Sequence, residues 1–199
     1  MSWWIFLPAW ALAMSLDAGL MPAFAFGRSV PQAWPVLLAF VSLHASRPAA
    51  MWAAVAVGTW LDATHPAVGD AAAGVSAVHV FGPNVLACMA GAWGVLELRA
   101  VLYRRNLGTL VVATVACAWL SALAFVAIGG IRFAYADPAP LWGPGSGAAA
   151  VGSDMLTGLL SAATGIVPAL GLQATFRWWG FATAGPRFGA PGRLGRPAS

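Results

Sequence analysis

The apolar positions of this chain fall into long, barely interrupted runs, with neither the alternation of half-buried strands nor the one-sided stripe of soluble helices. Four runs reach the roughly 20 residues that a membrane-spanning helix needs: Trp3 to Phe24, Gly74 to Leu102, Leu107 to Ile128, and Met155 to Phe176. Between the first two lie shorter apolar stretches, Ala33 to His44 and Ala49 to Leu61, separated by Ser46-Arg47-Pro48. Each is short for a perpendicular crossing; interfacial residues such as Trp34 extend the first, and burial by neighbours is the other way to accommodate them. Read as two true spans, they bring the expectation to an all-α integral membrane protein of six transmembrane helices, the second and third short. Residues 1–182 then form one polytopic domain and 183–199 a basic, Gly/Pro-rich cytoplasmic tail suited to anionic headgroups. The Pro- and Gly-rich stretch from Asp137 to Gly152 is the longest expected loop.

Composition supports lipid as the solvent. Of 199 residues, 60% are hydrophobic and 8% charged, against about 25% charged in a soluble domain. That balance excludes an ordinary cytosolic enzyme, a nucleic-acid binder and a disordered chain. Ala23-Phe24-Ala25 resembles a signal cleavage site, but no basic residue precedes the run and Asp17 lies within it, so the segment is read as a retained span. Cys88 and Cys117 lie singly in apolar runs and form neither a disulfide framework nor a metal knuckle.

The net charge of +4 comes from ten arginines, no lysine and six acids, and the arginines cluster. With the N-terminus inside and six crossings, Arg47, Arg99, Arg104, Arg105, Arg177, Arg187, Arg193 and Arg196 all fall on the cytoplasmic side, leaving Arg28 and Arg132 outside. The acids Asp62, Asp70, Asp137 and Asp154 land outside. Both termini are thus expected in the cytoplasm, with Trp3, Trp4, Tyr103, Trp178 and Trp179 in the inner aromatic belt and Trp34, Trp60, Tyr135 and Trp142 in the outer one.

Few residues offer chemistry. Asp17 is an acid inside a span, which must face the bundle, find a partner or be protonated; with Asn84 it is a candidate intramembrane polar site. Asp62 and His65 stand one helical turn apart and could share a metal or a proton, but zinc needs three or four ligands, so His79 or Asp70 would have to join them. Without those, Asp62 simply ends a helix at the membrane surface. No metal or cofactor is expected. Pro83 interrupts the fourth span and Pro168 the sixth, permitting kinks. Small residues four apart, Ala87 with Gly91, Ala90 with Gly94, and Ser161, Gly165 and Ala169, allow close helix approach, chiefly within the chain. No serine–histidine pair, phosphate loop or paired carboxylate supports catalysis.

The order of these features resembles the rod shape-determining protein MreD family of bacterial inner-membrane proteins. The resemblance is carried by the proline-led segment Pro31-Gln32-Ala33-Trp34-Pro35, the Gly-x-x-x-Asp element Gly58 to Asp62 with Leu61 before the acid, and Gly74 opening the next span. The basic cluster Arg99, Arg104 and Arg105 and the last-span Pro168 complete it, over about residues 3–179. It implies a non-enzymatic scaffold of the elongation complex, binding MreC and through it MreB, RodA and a class B penicillin-binding protein, with Pro35, Gly58, Leu61, Asp62, Gly74, Pro83 and Pro168 as partner-binding or structural positions. It also implies a fold similar to the substrate-binding subunits of energy-coupling-factor transporters. The alternative is therefore a vitamin-type small-molecule-binding subunit, with Asp17, Asn84 and tryptophans lining an outward pocket.

Overall fold

The computed structural model describes residues 1–64, 81–102, 106–135 and 147–181. Among these the chain is entirely helical, without strands: α1 (Trp3–Gly19), a 3-10 turn (Met21–Phe24), α2 (Trp34–His44), α3 (Arg47–Thr64), α4 (Pro83–Leu98), α5 (Leu107–Tyr135), α6 (Gly147–Thr164), α7 (Ile166–Ala174) and a closing 3-10 turn (Phe176–Trp178). The His65–Gly74 turn, His79, Arg104, Arg105 and the tail from residue 182 lie outside the described residues.

One segment, Leu107–Ile131 within α5, is by itself long and apolar enough to cross a membrane. Residues 152–164 of α6 and Ile166–Ala174 of α7 pass the same test only together, as a pair bent by 50°. The bend falls at Gly165, whose position leaves no room for a side chain beside Val36 and the Ser161 carbonyl. Pro168 follows it in the first turn of α7, where a missing N–H costs least. The kink expected at the proline is thus a break just ahead of it.

The short second segment departs furthest from expectation. At about 1.5 Å per residue, the 11 residues of α2 rise about 16 Å, half the thickness of a hydrocarbon core. Every residue from Trp34 to Leu43 is buried, so α2 is the bundle's central rod, packed by α1, α3, α4, α5 and α7 rather than facing lipid along a full span. Trp34, expected in an interfacial belt, is buried with it and donates its indole N–H to Gln32 Oε1 at 3.0 Å. Trp179 is likewise fully buried, whereas Trp3, Trp4, Trp60 and Trp178 remain exposed.

Glycines set the helix spacing. A Cβ on Gly58 of α3 would meet the α4 backbone at Val85 N (2.7 Å) and Asn84 O (2.8 Å). On Gly91 of α4 it would meet the Cys117 carbonyl of α5 at 2.7 Å and the Ser121 hydroxyl, and on Gly158 of α6 the Trp119 indole at 2.8 Å. Bare helix faces let backbones approach this closely, and here they are consumed inside the chain. Cys88 and Cys117 are free, buried thiols in the same α4–α5 seam.

The N-terminus, residues 176–181 and the α2–α3 turn gather at one end of the bundle. The Ser2 N–H donates to the Trp179 carbonyl at 2.7 Å. The rings of Phe40 and His44 on α2 pack with Phe176, Trp179 and Phe181. Arg47 pairs with Glu97 at 2.9 Å, and Arg99 donates to the Ala45 carbonyl at 2.8 Å.

Candidate functional site

The opposite end is organised by two acids, each near the close of one helix and each spent on the start of the next. Asp62, on the last turn of α3 and 1% exposed, accepts the Gly82 N–H at 2.7 Å, the Asn84 N–H at 3.0 Å and the Asn84 side-chain amide at 2.9 Å. Those amides open α4, where an N-terminus leaves donors without intrahelical partners. Pro83, between them, has no N–H to satisfy, and Gly82 turns the chain at φ +120°. The carboxylate also sits at the positive end of the α4 dipole. Pro83 therefore begins a helix and does not kink one: Gly82, Asp62 and the absent N–H together make residue 83 a start.

Asp17 does the same for α2. Half-buried near the end of α1, its carboxylate accepts the Ala33 N–H and, at 3.2 Å, the Trp34 N–H. Pro35, the second residue of α2, again presents no donor. The preceding amide, Gln32 N–H, donates to Ser161 Oγ on α6 at 2.8 Å. The sequence alone gave no hint of repetition, yet the α1–α2 and α3–α4 pairs share one device: an acid closing a helix and a proline in the first turn of the next. Asp17→Ala should cost about 1–2 kcal/mol, the lower part of the range for a charged cap because the group is half-exposed. Thermal unfolding in detergent checks this, with Asp17→Asn expected to lose about half as much.

Beside this end lies a cavity of about 470 Å³ between α2, α4, α5 and α6, within the range of small-molecule sites. Leu61, Asp62, Pro83 and Asn84 contribute to its lining, as do Trp34 and Ser121. Asp17 is not part of the lining, so the expected pairing of Asp17 with Asn84 in one pocket does not occur: each serves a different helix start. Pro168 and Gly58 are likewise structural rather than lining, and Gly74 lies outside the described residues.

Four cavity residues had no signal in the sequence. Arg28 and Gln32 lie more than 120 residues from Asp154 in the chain, and Ser121 is one hydroxyl in an apolar run. Ser121, with Ser42, departs from its peers. The hydroxyls of Ser15, Thr59, Thr64, Thr114, Ser161, Thr164 and Thr175 each donate to the carbonyl four residues earlier at 2.7–3.0 Å, which is how such side chains hide in an apolar helix. Ser121 Oγ and Ser42 Oγ make no such bond; that of Ser121 lies instead against Gly91 and beside the Cys117 thiol.

No three His, Cys, Asp or Glu side chains converge to hold a metal among the described residues. Comparison of the chain with protein-family models, with curated proteins and with solved structures found no match.

Proposed function

We propose that this chain is a non-enzymatic scaffold of the bacterial rod complex, spanning the inner membrane six times with both termini in the cytoplasm and binding an MreC-type partner. The observation that carries the reading is the α3–α4 joint. The Gly-x-x-x-Asp element, on which the resemblance to the MreD family rests, works here as one mechanical unit. Gly58 admits the α4 backbone and Asp62, one turn later, ties down the start of α4. A scaffold needs such a corner, because a partner helix can be gripped only by a face that holds its shape.

Two further features support a membrane setting. Large apolar side chains stand exposed along several helices, among them Trp4, Leu12, Trp52, Trp93, Val112 and Val167, more than a soluble surface tolerates. Arg47 and Arg99 sit with Glu97 at the end where Ser2 meets Trp179, and Asp17, Asp62 and Asp154 with Arg28 toward the other, an excess of arginine at one end that the positive-inside rule favours. Because the glycine faces are consumed internally, the partner's span would lie against these exposed large residues instead.

Gentle detergent extraction from native membranes, followed by mass spectrometry, tests the reading. The expected result is a stoichiometric single-span protein with a periplasmic domain. Recovery with an ATPase pair and a coupling subunit would overturn it in favour of a transporter subunit.

A further inference from the structure

We propose that the cavity at the acid-capped end binds an ethanolamine phosphodiester, with the phosphate at Arg28 and the ammonium at Asp154. The inference is independent of the scaffold reading, since it rests on the cavity alone.

The two charges are brought together without being paired. Ser29 Oγ donates to the Ser153 carbonyl at 3.0 Å, which fixes the neighbouring residues Arg28 and Asp154 on adjoining segments. Both line the cavity. Yet no ion pair joins them, whereas Arg47 closes on Glu97 at the far end of the bundle. Opposite charges in a partly apolar cleft are drawn to close on each other unless something of matching polarity belongs between them. A zwitterion with separated charges is that match, and a volume of about 470 Å³ accommodates it.

A buried hydroxyl prefers a polar partner, and that of Ser121 has the weakly polar Cys117 thiol beside it, whereas Thr114 on the same helix bonds the Leu110 carbonyl. Ser121 lines the cavity where α4 and α5 meet, its hydroxyl packed against Gly91. The rim argues for a phosphodiester over a free amino acid. Phe24, Phe26 and Val30, exposed around Arg28, provide an apolar ledge on which acyl chains could lie while the headgroup turns inward. The shared chemistry is the headgroup, reaching the site either in an aminophospholipid or as a water-soluble diester.

The test uses the purified full-length chain in a neutral detergent, with bound lipid counted by native mass spectrometry and thermal unfolding as a second readout. Phosphatidylethanolamine, phosphatidylglycerol and phosphatidylcholine are compared, with glycerophosphoethanolamine as competitor. Wild type should retain phosphatidylethanolamine roughly tenfold better than either other lipid, the scale of one charge-assisted contact. Asp154→Asn should abolish the preference over phosphatidylglycerol. Arg28→Gln should weaken both lipids, and Ser121→Ala should weaken phosphatidylethanolamine without lowering the unfolding temperature of the lipid-free protein. Displacement by millimolar glycerophosphoethanolamine would identify the free headgroup as sufficient; binding of the lipid alone would identify the membrane as the source. Equal retention of the three lipids by wild type would overturn the proposal, as would a preference that survives in both Asp154→Asn and Arg28→Gln. If a variant fails to fold, the wild-type comparison still decides.

Discussion

Asp62→Ala should lower the stability of the protein by about 3–5 kcal/mol, since it leaves two backbone N–H groups and a side-chain amide without their shared acceptor at a buried helix start. The charge also leaves the positive end of α4, adding to the loss. Asp62→Asn should cost about half of that, because the amide keeps one acceptor oxygen while turning a donor toward other donors. Chemical denaturation in detergent measures the difference, and the amount of protein in membranes should fall several-fold with it. Unchanged unfolding in Asp62→Ala would show that α4 starts where it does for reasons other than the carboxylate.

Gly58→Ala is expected to reach or exceed the upper end of the roughly 1–3 kcal/mol usual for overpacking. Most overpacked sites relax by turning a side chain aside. At Gly58 the obstructing atoms are backbone, Val85 N at 2.7 Å and Asn84 O at 2.8 Å, so α3 and α4 must separate, and Asp62 is then drawn away from the amides it caps. Gly58→Leu should not accumulate at all. In the double variant Gly58→Ala with Asp62→Ala the costs should fall well short of additive, because each alone opens the same joint. Additive losses, measured by unfolding of the three variants side by side, would mean that spacing and capping are separate features.

Helix content was legible because it rests on run length and composition, which packing does not overturn. Helix starts were less so. Pro83 and Pro168 both read as interruptions of long apolar runs, and only tertiary partners, Asp62 for the one and the Gly165 break for the other, make them first-turn residues. Asp17 was recognised as an acid in need of a partner, but the partner is a pair of amides beyond a turn, and amides carry no mark in sequence. The burial of Trp34 was illegible for a related reason: a tryptophan beside a proline at the edge of an apolar run reads as interfacial, whereas Gln32, two residues away, supplies the acceptor that lets the indole be buried. The cavity was illegible because its lining comes from five separate stretches, and Ser121 is one hydroxyl in an apolar run.

The position of α2 bears on how the protein is made. A helix of 11 residues, apolar on every side, leaves the ribosome before α5 and α7, two of the helices that enclose it, have been synthesised. Too short to settle across a bilayer alone, it belongs to no finished compartment during that interval, and its contacts are with sequence-distant partners that slow folding and expose unfinished surface. The clasp between Ser2 and Trp179 is available only after α7 has been made. Assembly of this bundle is therefore a late event, in which a core laid down early waits for the walls to arrive.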